Sequence, residues 1–309
     1  MHKKLLMVLL PLLLAVPAWS QPGVVVSIKP VHALVAGVLE GVAEPELLLS
    51  GGESPHSHAL RPSQARARAE ARLVFWVGPE LETFLARPLR SLSGAARVVR
   101  LMDAEGVELL PARSGGVWDS HDQAHGHAHG GHGHAEEHGA DPHLWLDPVN
   151  GRAIVAIALR ESQALFPEQA ELLAANAARL DARLRQLEAE LAEQLAPVRA
   201  VPFVVFHDAY QYLEQRFGLN AAGSITLDPE RVPGAQRVRE VRELIRARDA
   251  RCVFAEPQFT PRLVATVVEG SGARQGVLDP LGADLPPGPE AYFDLLSQLA
   301  ANLRGCLEP

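Results

Sequence analysis

The sequence predicts an α/β fold of two lobes, each with a mostly parallel sheet, joined by a long rigid helix. Short β-branched and apolar runs alternate with helical patterns in the first half of the chain, and the same alternation returns in the second half. Such alternation is typical of a parallel sheet covered by helices on both faces. The longest uninterrupted helical pattern lies between the halves. We therefore expect an N-terminal lobe over residues 21–166, a linking helix over residues 167–197 and a C-terminal lobe over residues 198–309.

The N-terminal lobe begins with a β-branched run and continues with short apolar segments that end near glycine or proline. The predicted strands are residues 23–28, 47–49, 73–77 and 97–101. The predicted helices between them are residues 31–39, 62–72 and 80–90. Asp147 followed by Pro148 is a typical helix start, so we expect one more helix over residues 148–166.

The linking segment has one apolar stripe with a spacing of three or four residues. Its members are Leu173, Ala177, Leu180, Leu184, Leu187, Leu191 and Leu195. A helix of about thirty residues is about 45 Å long, which exceeds the width of a small domain. A coiled coil between two copies would also produce such a stripe. A single copy between two α/β halves favours a spine within one molecule, which predicts little hinge bending.

The C-terminal lobe repeats the pattern of the first. The predicted strands are residues 203–206, 221–225, 252–255 and 276–278. The predicted helices are residues 209–217, 234–248, 261–269 and 292–303.

The first twenty residues predict a secretory signal peptide. Lys3 and Lys4 are followed by an apolar run over residues 5–16 and a small-x-small cleavage site at residues 18–20. The apolar run is too short to span a membrane and a proline interrupts it. Because no cysteine lies near the cleavage site, we expect an exported protein without a lipid anchor.

Charge and cysteine content narrow the possible functions. Removal of the two leader lysines changes the net charge from −8 to −10, which disfavours nucleic acid as a partner. The two cysteines, Cys252 and Cys306, predict one structural disulfide in an exported chain. Closing this loop would stabilise the fold by about 4 kcal/mol. Two thiolate metal ligands are the alternative, although the close cysteine spacing of such sites is missing.

Residues 119–140 form a segment with few apolar side chains, which predicts a mobile loop. Short histidine-rich segments are typical of metal binding. The candidate secondary metal ligands are His121, His125, His127, His129, His132, His134 and His138. A solvated insertion without a function is the alternative interpretation.

Four other candidate ligands lie near the ends of predicted strands or loops. His56 lies in the loop after the second predicted strand, and His207 and Asp279 each directly follow a strand. His143 lies between the histidine-rich segment and a short apolar run. Because ligands bind outside the carboxyl ends of strands in open α/β sheets, two facing lobes would bring the four together in a cleft. Three imidazoles and one carboxylate suit tetrahedral Zn²⁺. A histidine taken alone is more often a structural residue than a metal ligand.

Several segments of the mature chain closely resemble the periplasmic zinc-binding proteins of ABC importers. They are residues 52–56 (GESPH), 60–63 (LRPS), 76–82 (WVGPELE), 141–148 (DPHLWLDP), 206–210 (FHDAY), 255–259 (AEPQF) and 278–282 (LDPLG). The resemblance covers essentially the whole mature chain, and the segments occur in the same order as in that family.

The resemblance implies two α/β lobes with a metal site in the cleft between them. It implies that His56, His143 and His207 bind Zn²⁺, with Asp279, water or a flexible carboxylate such as Glu53 as the fourth ligand. Manganese-binding relatives have Glu where His207 stands, which favours zinc. One departure is His58, where relatives often have Tyr; it is either a bystander or a competitor of His56.

The same resemblance implies a histidine-rich loop before His143 and a disulfide in the C-terminal lobe. It also implies a periplasmic protein that captures Zn²⁺ and delivers it to a membrane permease with its own ATPase. This chain has no phosphate-binding GxxxxGK[ST] loop that would make it an ATPase. We expect a monomer without enzymatic activity.

Two other functions remain open from the sequence. A secreted zinc hydrolase would need a general base, for which Glu53, Glu256 or Asp208 could serve. The sequence contains neither HExxH nor Gly-x-Ser-x-Gly. A metal-binding adhesin or metal buffer could use the same fold without a permease.

Overall fold

The computed structural model describes residues 23–62, 64, 70–92, 96–113, 118, 139–226, 229 and 233–309. The predicted signal peptide and the seven histidines of the histidine-rich segment lie outside the described residues. No helix of the described part of the chain is both long enough and apolar enough to cross a membrane.

The N-terminal lobe contains a four-stranded parallel sheet with the order β2-β1-β3-β4. Its strands are β1 (Gly23–Ile28), β2 (Glu46–Leu49), β3 (Ala71–Trp76) and β4 (Arg97–Arg100). Helix α1 (Lys29–Val38) directly follows β1, and α2 (Thr83–Arg90) lies between β3 and β4.

The predicted helix over residues 62–72 is wrong at its C-terminal end. Strand β3 already begins at Ala71, which pairs with Gly23 of β1. The local sequence has high helix propensity, but pairing in the sheet outweighs this preference at Ala71 and Arg72.

Two long helices follow the N-terminal sheet. Helix α3 (Pro148–Leu165) begins after Asp147, whose side chain accepts a hydrogen bond from the Val149 N–H as predicted for an N-cap. Helix α4 (Ala170–Leu195) is the linking helix, flanked by 3₁₀ turns at Pro167–Gln169 and Ala196–Val198. Its 26 residues make it about 39 Å long.

The C-terminal lobe repeats the strand order of the first, as β6-β5-β7-β8, and all of its strands are parallel. Its strands are β5 (Phe203–His207), β6 (Ala221–Thr226), β7 (Cys252–Ala255) and β8 (Arg274–Val277). Its helices are α5 (Gln211–Phe217), α6 (Ala235–Arg248), α7 (Arg262–Val268) and α8 (Ala291–Leu307). The predicted fold class of two parallel α/β lobes is confirmed.

The predicted disulfide is present and joins β7 to α8. Cys252 and Cys306 have Cα atoms 6.2 Å apart and form one covalent bridge. The alternative of two thiolate ligands is therefore excluded by the structure.

The linking helix contributes to a core that both lobes share. All seven residues of its predicted apolar stripe are buried. They belong to one cluster with apolar side chains of both sheets and of α1, α3 and α8. Because the two lobes pack on the same helix within one core, bending between them would expose apolar surface.

Candidate metal centre

Three histidine side chains meet in the cleft between the lobes. His56 lies in a turn after β2, His143 precedes the 3₁₀ turn Leu144–Leu146, and His207 is the last residue of β5. Each offers one ring nitrogen, and these nitrogens lie within 4.8 Å of one another. The structure therefore assembles three of the four side chains that the sequence predicts as ligands.

The spacing of two of these rings fits a single tetrahedral ion. Nε2 of His143 and Nε2 of His207 are 3.3 Å apart. Two nitrogens bound to Zn²⁺ at about 2.0–2.1 Å with a tetrahedral angle are separated by about 3.3–3.4 Å. The ring centroid of His56 lies 5.5 Å from that of His143 and 5.7 Å from that of His207.

Asp141 orients the ring of His143. One oxygen of its carboxylate accepts hydrogen bonds from Nδ1 of His143 at 2.7 Å and from the His143 backbone N–H at 3.0 Å. The backbone of Asp141 is held in turn, because Tyr212 of the C-terminal lobe donates its hydroxyl to the Asp141 carbonyl at 2.7 Å. With Nδ1 as the donor, Nε2 of His143 keeps its lone pair for an ion.

Glu256 orients the ring of His207. It directly follows β7, next to β5 in the sheet, and its carboxylate accepts a hydrogen bond from Nδ1 of His207 at 2.7 Å. The side chains of both residues are buried. A histidine that donates to a carboxylate while binding a metal through its other nitrogen is the usual arrangement in zinc sites.

The three rings differ in their affinity for protons. Burial lowers the pKa of His56 to about 2, with further contributions from His143 and His207. Burial, and then His207, lower the pKa of His143 far below its usual value. Burial is the largest effect on His207 and lowers its pKa, but Glu256, Asp208 and Asp141 together outweigh burial, so the pKa of His207 lies above its usual value. At neutral pH, His56 and His143 therefore present free lone pairs.

The cavity beside the three rings is small and has mainly apolar walls. Its water-accessible volume is about 10 Å³, room for one water-sized sphere. Besides the histidines, its walls are formed by Ser54, Pro55, Trp145, Glu256, Gln258, Phe259, Pro280 and Leu281. Such a space can hold an ion but not an organic molecule.

His58 is not part of the group. Its Nδ1 lies 3.2 Å from a Glu53 carboxylate oxygen, and its Nε2 lies 2.9 Å from Oε1 of Gln64. Both ring nitrogens thus already have partners. Glu53 also pairs with Arg61, so neither Glu53 nor His58 is directed to the three histidines.

Asp279, the predicted fourth ligand, lies outside the group of converging nitrogens. One oxygen of its carboxylate accepts hydrogen bonds from the backbone N–H groups of Leu281 and Gly282, both at 3.0 Å. The same oxygen accepts a bond from Gln258 Nε2 at 2.8 Å, and the other oxygen accepts the Ala283 N–H. In this structure the carboxylate closes a turn beside the cavity.

Sequence reasoning did not identify the two orienting carboxylates. The sequence does contain a signal for Asp141, which stands two residues before His143. An Asp side chain often accepts a hydrogen bond from the backbone N–H two residues further along the chain. Glu256 follows the strand adjacent to that of His207. The hydrolase interpretation treated Glu256 as a possible base, but its carboxylate accepts the hydrogen bond from Nδ1 of His207.

The sequence matches the profile of a protein family over residues 24–306. The family is described as the periplasmic component A of zinc-uptake complexes. A protein of Brucella abortus called high-affinity zinc uptake system protein ZnuA is 46% identical, covering 94% of this chain and 93% of its own. The protein of the same name from Yersinia pestis is 38% identical, covering 94% of this chain and 92% of its own.

Solved structures have the same fold. A crystal structure of ZnuA superposes with a TM-score of 0.77 at 22% identity, covering 94% of this chain and 100% of that chain. The periplasmic zinc-binding protein TroA of Treponema pallidum gives a TM-score of 0.77 at 18% identity, covering 94% of this chain and 100% of that one. At these identities the likeness supports the architecture alone.

Proposed function

Because this chain belongs to the family of periplasmic components of zinc-uptake complexes, we propose that it captures Zn²⁺ in the inter-lobe cleft and delivers it to an ABC permease. The three cleft histidines are the proposed ligands. The ion is the cargo of the protein, and no bond of a substrate is made or broken.

One observation supports this proposal most strongly. His143 and His207 come from different lobes, yet their Nε2 atoms lie at a zinc-compatible distance of 3.3 Å. Each ring is fixed from behind by a buried carboxylate, Asp141 or Glu256. The two Nε2 atoms face each other within hydrogen-bond distance at the cavity, where one ion can bind both.

The donor set favours zinc over harder ions. Three imidazole nitrogens suit Zn²⁺, whereas Mn²⁺ and Mg²⁺ prefer carboxylate, carbonyl and water oxygens. Among the described residues, the carboxylates hydrogen-bonded to these rings are those of Asp141 and Glu256. Both accept from Nδ1 and so leave Nε2 to the ion. Water is the proposed fourth ligand in this conformation, and Asp279 could take its place only by leaving its turn.

The partners of this component follow from the family. A membrane permease with an ATPase would receive the ion and supply the energy of transport. The predicted signal peptide supports export to the periplasm, with cleavage after residue 20 and no lipid anchor. We propose that the protein acts as a monomer and that the histidine-rich segment binds additional ions weakly.

A metal titration of mature protein tests the proposal. We would compare Zn²⁺ with Mn²⁺ in protein lacking residues 119–138, with His207→Ala as the disrupting variant and His58→Ala as the matched control. We expect one tight zinc site in the shortened protein, lost in His207→Ala and kept in His58→Ala. Tight binding that disappears with the deletion alone would contradict a cleft site and indicate a polyhistidine metal buffer.

A further inference from the structure

Lys29 is a buried cation in the contact between the two lobes. The sequence has lysine only at positions 3, 4 and 29. Lys29 is the first residue of α1, directly after the carboxyl end of β1, and is 3% exposed. Its ammonium group donates to three carbonyls of the C-terminal lobe, those of Gly282 at 2.5 Å, Ala283 at 3.0 Å and Leu285 at 2.7 Å. Its three donors are thereby all used.

These carbonyls belong to the turn that Asp279 closes. The N–H groups of residues 281–283 point to the Asp279 carboxylate, while the carbonyls of residues 282, 283 and 285 point to Lys29. Gly282 takes a positive φ of 66°, which permits this tight turn. The loop of residues 279–285 is thus bound by the Asp279 carboxylate on one side and by the Lys29 ammonium group on the other.

Two further contacts fasten the loop to the N-terminal lobe. Trp145 donates its indole N–H to the Pro280 carbonyl at 2.8 Å. Gln258 donates to both Asp279 and the Gly51 carbonyl, at 2.8 Å and 3.0 Å. Pro280 and Leu281 line the metal cavity, so the position of this loop determines which groups reach the ion.

We propose that Lys29 is a positioning residue for metal coordination: it holds the loop carbonyls so that Asp279 stays in its turn and the fourth position on the ion remains open to water. This inference rests on the proposed function of the cleft. An open position lets a ligand from a receiving protein approach the ion, whereas a fourth side-chain ligand would have to be displaced first.

The charges around Lys29 support its role in holding the loop. Burial lowers the pKa of Lys29, while Asp279 and Asp284 act in the opposite direction. The cation and the Asp279 carboxylate therefore stabilise each other across the loop. Loss of the cation removes this attraction and takes a donor from the carbonyls of Gly282, Ala283 and Leu285, so the turn is expected to open.

The test uses mature full-length protein loaded with Co²⁺, whose visible absorption reports a change of ligand. Azide is added to wild type, Lys29→Met, Asp279→Asn and the double variant. We expect azide to change the spectra of wild type and Asp279→Asn, which have an open position. Lys29→Met should not respond because Asp279 fills that position, and the double variant should respond again. Lys29→Arg keeps a cation with several N–H donors and should behave as wild type.

Affinity provides a second readout. Lys29→Met should lower the Kd for Zn²⁺ by about tenfold, because a carboxylate then replaces water as the fourth ligand. In the Lys29→Met background, Asp279→Asn should abolish this gain. A structural defect alone would weaken binding and would not depend on Asp279.

Several outcomes would overturn the inference. One is a wild-type spectrum that azide does not change although that of Asp279→Asn responds, since Asp279 would then already bind the ion. Another is a spectrum of Lys29→Met that azide changes as it changes that of wild type, since Asp279 would then not have filled the fourth position. If Lys29→Met does not fold, the azide response of wild type still decides, because an unchanged spectrum there contradicts an open fourth position. Absence of a tight Zn²⁺ site in the protein lacking residues 119–138 would instead refute the proposed function itself.

Discussion

Nδ1 of His207 donates a hydrogen bond of 2.7 Å to Glu256, although 49 residues separate the two in the chain. The contact exists because β5 and β7 are adjacent parallel strands and their carboxyl ends lie side by side. It fixes the ring plane and leaves Nε2 facing the cleft. The same carboxylate raises the pKa of His207, so one contact affects both metal binding and proton binding.

The first prediction concerns zinc affinity. Replacing Glu256 with Gln removes the negative charge and the strong acceptor behind His207. We expect the Kd for Zn²⁺ to rise about 10- to 100-fold, the usual cost of losing a hydrogen-bond partner of a metal-binding histidine. Competition with a chelating dye measures the change. Glu190→Gln on the exposed side of α4 is the control and should bind as wild type. Equal affinities of the two variants would refute the orienting role.

The second prediction concerns acid release of the ion. The pKa values of His56 and His143 are lowered, so both rings stay neutral in mildly acidic solution. The pKa of His207 is raised, so its proton is the first to compete with the ion as pH falls. Below that pKa the Kd for Zn²⁺ should rise about tenfold per pH unit, because one proton is displaced per ion.

Glu256→Gln provides the check on this assignment. Without the carboxylate, burial lowers the pKa of His207, so the onset of acid release should move to lower pH. Titrations at several pH values measure the slope and the onset in both proteins. A slope of two or three protons per ion, or an onset that does not move, would contradict the assignment to His207.

Local patterns together with the family resemblance predicted the fold and the three histidines, whereas long-range hydrogen bonds were not predictable. The leucine stripe of α4 follows from spacing within one helix, and His207 is recognisable because it ends an apolar run. The pairing of His207 with Glu256 depends on which strands are neighbours. The turn of Asp279 depends on the direction of backbone N–H groups and on Lys29, about 250 residues away. Its assignment as a ligand stays a prediction for this reason.

The third prediction concerns Glu82, a buried acid of the N-terminal lobe that is not part of the metal site. Glu82 is fully buried and accepts hydrogen bonds from Ser27 and from the N–H groups of Val77 and Gly78. Burial outweighs these bonds and raises the pKa of Glu82 to about 7. The folded state therefore binds a proton between about pH 4.5 and pH 7 that the unfolded chain releases. Its contribution to stability is complete below this range and is lost as pH rises through it.

Glu82→Gln cannot ionise and should lack this dependence. Relative to the variant, wild-type protein should lose about 3 kcal/mol of unfolding free energy between pH 4.5 and pH 7. Urea unfolding of zinc-free protein at several pH values measures the difference, and contributions of the cleft histidines cancel between the two proteins. A difference that stays constant with pH would show that Glu82 has an ordinary pKa.

The fourth prediction concerns Arg113, which connects the lobes beside the metal site. Its guanidinium donates to Asp208, the neighbour of His207, and to both oxygens of Glu214, at 2.7 Å and 3.0 Å. It also lies 3.6 Å from the ring centroid of Trp118. Burial raises the pKa of Glu214, and Arg113 opposes that rise. The arginine thus pairs with two adjacent, largely buried carboxylates.

Arg113→Met would leave both carboxylates facing each other without a cation. We expect a loss of about 3 kcal/mol of unfolding free energy, since removing one partner leaves buried charge uncompensated. The matched control is Arg185→Met, whose exposed pair with Asp181 within α4 should contribute less than about 0.5 kcal/mol. Urea unfolding of the zinc-free proteins at neutral pH compares them. Because protonation of Glu214 relieves the repulsion, the loss of unfolding free energy in Arg113→Met should shrink at acidic pH. A loss equal to that of Arg185→Met would show that Arg113 contributes no more than a surface pair.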